Sequence, residues 1–331
     1  MQRGFPLLLL ALGFMGGGWL FIQQYDIEGL DRVRVVAKND PVGRLPDVTE
    51  SGAVAAPGET IKVASFNLCV YGVTKASKPE VMEMLARIIR QYDVTAIQEI
   101  RSQDQTVLPK LVQLVNSTGR QFDYVIGPAL GRTNSKEQYA YIFDRATLEI
   151  DLRECYTVKD PNDVLHREPF VAWFRARGPA PEEAFTFSLA NFHIDPDEVP
   201  QEVKILPIVL NAIRNDGRNE DDVILLGDFN ADELQLAQYA SLPNVTMAIT
   251  GEPTNTKHTK GYDNIIFQQY ATTEYVGRSG VFDFLRQFNM TVDNAMEVSD
   301  HMPVWAEFSV YEGGANGRFA VRNATTNASL R

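Results

Sequence analysis

Histidines, carboxylates and asparagines stand where apolar runs of this chain stop. Asn67 lies in SFNLC, Glu99 in AIQEIR, His193 in ANFHIDP, Asp228 and Asn230 in LLGDFNAD, Asp263 in GYDNII, and Asp300 with His301 in VSDHMPV. A carboxylate directly after a buried strand costs desolvation energy unless something pairs with it. Polar groups at several strand ends on one side of a sheet can instead converge on a shared pocket. Glu99, Asp228 and the asparagine amides are hard oxygen donors that suit Mg²⁺ together with substrate phosphate. Two histidines, each oriented and made more basic by a carboxylate, can activate water and protect a leaving alkoxide. The chemistry expected from this set is metal-assisted hydrolysis of a phosphate ester. The chain has 4 histidines. His193 and His301 sit in or beside strands, whereas His166 and His258 sit in polar loop contexts and read as surface residues.

The elements that must carry these groups follow from hydrophobic period. Ile61 to Val70 alternates as a strand, and Asp93 to Ile100 reads as a second. Between them, Val81, Met84, Leu85, Ile88, Ile89 and Tyr92 form a helical stripe behind Ser77-Lys78-Pro79-Glu80, which has capping-box spacing. Val107, Leu108, Leu111, Leu114 and Val115 mark a second helix. Strands then dominate at Phe122–Ile126, Gln138–Phe143, Phe170–Arg177, Ala184–Ile194, Asp222–Phe229, Tyr262–Gln268 and Pro303–Ser309, with a helical stretch over Gln201–Asn215 interrupted at Pro207. Two packed mixed sheets flanked by helices, a four-layer α/β (α+β) sandwich, would bury so many half-apolar strands.

The composition leaves room for such a fold. The 331 residues are 44% apolar and 22% charged, which excludes wholesale disorder, and 2 cysteines exclude a disulfide scaffold. Cys69 and Cys155 are expected to be buried free thiols. With 31 Lys+Arg against 43 Asp+Glu the formal charge is −12, at first sight a poor match to nucleic-acid phosphates. Gly4 to Ile22 carries no charge and as a helix would reach roughly 28 Å, so residues 1–22 read as an uncleaved signal anchor or a signal peptide. Residues 23–60 read as a flexible linker, 61–311 as one domain, and 312–331 as a disordered tail. The expectation is an exported protein, either anchored to a membrane with the domain outside the cytoplasm or secreted.

GDFNAD together with SDHMPV resembles the endonuclease/exonuclease/phosphatase superfamily. FNLCVYGVTKAS, YDVTAIQEIRSQD, GRTNSKEQYAYIF, HREPFVAWF, GYDNIIF and GVFDFLRQF before AMEVSDHMPV resemble its deoxyribonuclease I branch, in the family's order across the whole domain. The resemblance implies a deoxyribonuclease I-like fold and a divalent-metal-dependent endonuclease that cuts double- or single-stranded DNA with low sequence preference, leaving 5′-phosphate and 3′-hydroxyl ends. It implies that Glu99, helped by Asn67, holds Mg²⁺ or Mn²⁺, that Asp228 and Asn230 bind metal or the scissile phosphate, and that Asp300 supports the metal's water shell. His301 with Asp263 would be the base on water and His193 with Glu137 the acid on the leaving 3′ oxygen, although the two roles could be exchanged. Arg167 would contact phosphate and Arg101 a DNA groove. The local field of a bound cation outweighs the chain average, so −12 implies weak, salt-sensitive contact through Arg101, Arg132 and Arg167 rather than none. A monomer is expected.

Departures from the family pattern bear on substrate preference. Ser135 stands where a tyrosine usually packs against the minor-groove sugar, Asn264 where arginine is common, and no cysteine follows GDFNA. Glu168 with Asp160 or Asp163 is a candidate structural Ca²⁺ site. The alternatives are a phospholipid or inositol-phosphate phosphodiesterase or phosphatase of the same superfamily, or a non-catalytic surface-binding module, which has no need of paired His–carboxylate groups.

Overall fold

Period-two burial organises the chain. In the computed structural model, which describes residues 59–240 and 244–314, each central strand sends one set of alternate side chains into a layer between two sheets and the other set towards helices. Of the spans read as anchor, linker and tail, residues 1–58 and 315–331 lie outside the described residues. Thr60, read as linker, opens the first strand, and Glu312, read as tail, donates its backbone N–H to the Glu183 carbonyl. Among the described residues no helix is long and apolar enough to cross a membrane.

The first sheet contains β1 (Thr60–Tyr71), β2 (Val94–Ile100), β3 (Phe122–Ile126), β4 (Gln138–Asp144), β12 (Tyr275–Val281) and β13 (Val304–Ser309), in the order β12-β13-β1-β2-β4-β3. The second contains β5 (Leu148–Ile150), β7 (Phe170–Ala176), β8 (Thr186–His193), β9 (Val223–Asp228), β10 (Val245–Met247) and β11 (Asp263–Gln268), in the order β10-β11-β9-β8-β7-β5, with β6 (Tyr156–Thr157) paired to β7. Each sheet is antiparallel except at its centre, where β1 lies parallel to β2 and β8 parallel to β9. Between the sheets pack Val63, Ala96, Tyr141, Phe174, Phe187, Leu226, Phe267 and Phe308. The outer face of the first sheet is covered by α2 (Pro79–Ile89) and α3 (Val107–Val115), and that of the second by α4 (Val199–Val203) and α5 (Leu206–Arg214). This is the four-layer sandwich expected from the sequence.

Local chemistry explains where the elements depart from expectation. The capping box at Ser77 does not form. Pro79 occupies the first turn of α2, which moves the N-cap to Lys78, while Ser77 Oγ donates to the Thr74 carbonyl of α1 (Val73–Ala76). The helical stretch ahead of Asn215 is two helices, because Pro207 fits the first turn of α5 but not the interior of one continuous helix. β12 escaped sequence reading. It is an edge strand with two glycines and a register shift between Tyr275 and Ser279, and its side chains are half-buried or exposed. The helices α6 (Glu233–Ala240), α7 (Phe284–Gln287) and α8 (Val292–Val298) were missed for a related reason: each is short.

Buried amides set the two sheets against each other next to the site. Gln98 Nε2 on β2 donates to Ser65 Oγ at 3.0 Å and to Asn191 Oδ1 on β8 at 2.6 Å. Asn191 Nδ2 returns hydrogen bonds to the carbonyls of Ile97 and Ala140 in the first sheet. Gln98 Oε1 itself has no partner among the described residues. The bonds made by Gln98 Nε2 and the Asn191 amide are nonetheless costly to misalign in an apolar interior, so they fix the relative register of the layers.

Candidate active site

The inward alternation does not end with the apolar layer. On β1 the inward positions run Ile61, Val63, Ser65, Asn67; on β8 they run Phe187, Leu189, Asn191, His193; on β9 they run Ile224, Leu226, Asp228. Glu137 extends the inward parity of Tyr139 and Tyr141 on β4, and Asp263 that of Ile265 and Phe267 on β11. The rim polar groups are therefore one pleat beyond the core, at one end of the sandwich. Asp228 pairs in register with His193 on one side and Asp263 on the other. Gly227 permits this close approach: its φ is +148°, and a Cβ there would meet the Phe192 carbonyl oxygen of β8 at 2.0 Å.

Two His–carboxylate dyads span the sheets in opposite senses. His193, from the second sheet, places Nδ1 2.6 Å from Oε1 of Glu137, which leads into β4 of the first. His301, in the segment entering β13 of the first sheet, places Nδ1 2.8 Å from Oδ2 of Asp263 on the second. Both imidazoles turn Nε2 towards Asp228 Oδ2, at 3.7 Å from His193 and 3.4 Å from His301. Burial by itself lowers the pKa of each histidine. For His193 the hydrogen bond and charge of Glu137, with Asp228 behind it, outweigh burial and hold the imidazole above its ordinary value. His301 is held well above its ordinary value by Asp263 and Asp228. Burial pushes Glu137 up, but His193, Arg167 and Arg101 together bring it below the usual carboxylate range.

Supporting groups orient each dyad. Tyr139 Oη accepts the His193 backbone N–H at 2.9 Å, tying β8 to β4. Thr254 Oγ1 donates to Asp263 Oδ2 at 2.6 Å and accepts the backbone N–H groups of Tyr262 and Asp263. Ser299 Oγ donates to the Asn67 carbonyl and accepts the His301 N–H. Sequence reasoning missed Thr254; Tyr139 and Ser299 were visible only as members of the GRTNSKEQYAYIF and SDH motifs, without their supporting roles.

Glu99 reaches the rim by breaking its strand. Register shifts between Ile97 and Ile100 mark a bulge in β2, and Glu99 has φ 61°. Cys69, Val70 and Asn230 also adopt positive φ, at 48°, 58° and 47°. Left-handed backbone at non-glycine residues costs about 1–3 kcal/mol each and gathers where function over-determines it. Here it lets Glu99 Oε2 accept the Val70 N–H at 2.9 Å. Asn67 Nδ2 bridges Glu99 Oε1 at 3.1 Å and Asp228 Oδ2 at 3.0 Å, while its Oδ1 accepts the Cys69 N–H. Two carboxylates drawn onto one amide, Glu99 Oε1 and Asp228 Oδ2, make a hard oxygen donor pair that fits a divalent cation, and ligand atoms of Asp228 also lie within 4.8 Å of those of the Asp263–His301 dyad. Asn230 Nδ2 donates to the Ile194 carbonyl, and Asp300 stands half-exposed with Oδ1 3.9 Å from His301 Nε2.

The arginines are engaged within the protein. Arg101 Nη2 lies 3.2 Å from both Glu99 Oε2 and Glu137 Oε2, and its Nη1 donates to Ser135 Oγ at 3.0 Å. Arg167 is buried behind the dyad, with Nη1 donating to the His193 carbonyl and Nε 3.2 Å from Glu137 Oε1. Arg132 stands at the rim, paired with Glu198. Asn264 is not a phosphate-contacting group: it is buried, pairing its amide with the backbone N–H and carbonyl of Ile249.

His166 corrects the surface reading. It is buried, its Nδ1 3.4 Å from Asp195 Oδ2, because the loop entering β7 folds back over the second sheet; His258 is exposed as expected. Asp195 in turn takes its backbone N–H to Glu202, a buried acid raised to about 7 by burial. In the loop proposed for Ca²⁺, Asp160 accepts backbone N–H groups of Asn162 and Leu165, and Asp163 faces Arg132 at 3.9 Å. Cys69 and Cys155 are free and half-buried.

Residues 64–301 match the endonuclease/exonuclease/phosphatase family. The chain is 30% identical over 287 residues to deoxyribonuclease-1-like 1 of Mus musculus, covering 80% of this chain and 89% of that protein. It is 29% identical over 279 residues to deoxyribonuclease gamma of Rattus norvegicus, covering 79% and 89%. Among solved structures, the human Nocturnin catalytic domain with bound sulfate aligns with a TM-score of 0.52 at 15% identity, over 77% of this chain and 95% of that one.

Proposed function

The chain belongs to the endonuclease/exonuclease/phosphatase family, and from that membership we propose the reaction its site performs: endonucleolytic hydrolysis of DNA phosphodiesters. The enzyme is a deoxyribonuclease I-like hydrolase of that family. One observation carries the mechanism. Two dyads, each built across the sheets, aim Nε2 at a single carboxylate oxygen of Asp228. That spacing suits a scissile phosphate placed between two proton-transfer groups.

In each dyad Nδ1–H donates to its carboxylate, which leaves Nε2 free to move a proton. His301, with Asp263, takes a proton from water as the oxygen attacks phosphorus. His193, with Glu137, gives a proton to the 3′ oxygen as its bond to phosphorus breaks, yielding 5′-phosphate and 3′-hydroxyl ends. A divalent cation, Mg²⁺ or Mn²⁺, held by Glu99 and Asp228 with Asn67 clamping both, would neutralise charge on the phosphoryl oxygens. Asp300 and Asn230 complete the polar rim around that position, and Arg101 bridges Glu99 and Glu137 and offsets their mutual repulsion.

The test is plasmid nicking by the purified chain with Mg²⁺ or Mn²⁺. EDTA should abolish it, and His193→Ala and His301→Ala should each remove most of it; folded protein that never nicks with any metal would refute the proposal. We also infer export, on the strength of the uncharged stretch from Gly4 to Ile22; amino-terminal sequencing of the mature protein distinguishes an anchor from a cleaved signal.

A further inference from the structure

A second set of carboxylates gathers at the opposite end of the sandwich. Asp222 precedes β9, Glu274 precedes β12 and Glu312 follows β13, so the three come from both sheets. Asp222 stands roughly 20 Å from Asp228 along β9, at about 3.3 Å per residue. One carboxylate oxygen from each of Asp222, Glu274 and Glu312 lies within 4.8 Å of the others. Asp222 and Glu274 are each 1% exposed, and Glu312 closes the cluster at the surface.

Their surroundings leave positive charge wanting. Arg214 reaches the neighbouring Asp221 at 3.9 Å, but among the described residues no lysine or arginine forms an ion pair with Asp222, Glu274 or Glu312. Glu220 and Asp221 add further negative charge beside them. Asp222 Oδ1, Glu274 Oε2 and Thr272 Oγ1 are buried and make no well-formed hydrogen bond to any described residue, and Thr272 is 2% exposed. Thr272 and Glu274 both lie beside the Asp222 carboxyl, close enough to lower its charge cost or share its proton. Two further carboxylate oxygens are used: Glu274 Oε1 accepts the Gly313 N–H at 2.6 Å and Glu312 Oε2 the Thr186 N–H at 3.2 Å. Burial, with Glu274, Glu220 and Glu312 around it, pushes Asp222 up to about 9, and burial raises Glu312 to about 7. Carboxyls so placed hold protons unless a cation replaces them.

We propose that Asp222, Glu274 and Glu312, with the Thr272 hydroxyl, form a structural site for a calcium-like divalent cation that staples the start of β9 in one sheet to β12 and the end of β13 in the other. All the donors are hard oxygens. Their irregular arrangement, with open solvent on the Glu312 side, suits the six to eight flexible ligands of Ca²⁺ better than the strict octahedron of Mg²⁺. The site is separate from the dyads and from the Asp160–Glu168 loop.

Trp173 reports on it. Its Nε1 donates to Glu220 Oε2 at 2.7 Å, and Glu220 Oε1 accepts the Asp222 N–H at 2.9 Å, so a lanthanide bound at Asp222 sits close to an indole. The experiment uses the full chain as wild type, Asp222→Asn, Glu312→Gln and Glu99→Gln, measuring Tm in EDTA and in Ca²⁺ and tryptophan-excited Tb³⁺ emission displaced by Ca²⁺. Wild type and Glu99→Gln should gain Tm with Ca²⁺ and show the emission. Asp222→Asn and Glu312→Gln should lose at least half of both; should Asp222→Asn not fold, the surface variant Glu312→Gln decides. Absence of any Ca²⁺ shift in wild type, or a shift kept in Glu312→Gln and lost in Glu99→Gln, would overturn the proposal.

Discussion

His301 Nε2 lies 3.4 Å from Asp228 Oδ2 while its Nδ1 lies 2.8 Å from Asp263 Oδ2, so one imidazole is bracketed by two carboxylates that are register partners on neighbouring strands. The ring's orientation is thus set by strand pairing in the sheet opposite its own. Replacing Asp263 with asparagine keeps the shape but removes the charge that holds His301 above its ordinary pKa. Nicking should fall by roughly 10²–10⁴-fold, the usual worth of a positioned acid–base group. Asp263→Asn combined with His301→Ala should cost little more than either alone, because the two act as a unit; additive losses in nicking rate would separate them.

Glu137 carries more structure than its histidine does. It is fully buried and faces His193, Arg167 and Arg101. Glu137→Gln leaves the buried Arg167 guanidinium only the more distant Asp195 Oδ2 at 3.9 Å, and breaking such a buried pair costs up to about 3–5 kcal/mol. His193→Ala removes activity without stranding that charge. Urea denaturation should show a large fall in midpoint for Glu137→Gln and a much smaller one for His193→Ala, with nicking reduced in both. Equal midpoints would contradict this division of roles.

Ser135 is exposed beside Arg101, which donates to its hydroxyl. An aromatic ring at that rim position would offer a stacking surface worth about 1–3 kcal/mol per nucleotide. Ser135→Tyr should therefore lower KM for plasmid by roughly fivefold or more with kcat little changed. Initial rates on duplex and single-stranded DNA side by side check it, and an unchanged KM on both would remove Ser135 as a determinant of affinity.

Asp222 makes stability depend on pH in a definite sense. Its carboxyl is raised to about 9 in the folded chain, against an unfolded value near 3.9. Between those values the native state holds a proton that the unfolded chain has lost. Its stabilising contribution is complete below about pH 4 and declines as pH rises towards 9. In EDTA the Tm of wild type should fall across that window more steeply than that of Asp222→Asn, whose amide does not titrate. His193 and His301, also raised, give wild type and variant the same downward background. Parallel pH curves for wild type and Asp222→Asn would show that Asp222 does not hold the proton.

Much of the site was legible before any contact was known, because a strand's end is a local event. Apolar alternation stops at Asn67, His193, Asp228 and Asp263, and a polar group on the inward parity of a buried strand has few places to go but the rim of the sandwich. The central strands and the two helices covering the first sheet were equally local, since hydrophobic period specifies an element without reference to its neighbours. Which rim groups meet is different. His193 finds Glu137 and His301 finds Asp263 across the gap between sheets, and that pairing depends on how Gln98 and Asn191 lock the layers in register. The same non-local packing buries His166, folds Arg167 behind Glu137 instead of leaving it at the surface, and turns Glu99 to the rim through a left-handed bulge. It also brings together Asp222, Glu274 and Glu312, three acids with no shared motif. The chain's own pattern of polar residues at strand ends determined the chemistry available. Only the packing of one sheet on the other decided which charges would face each other, because two residues far apart in sequence share no local period that could announce their contact.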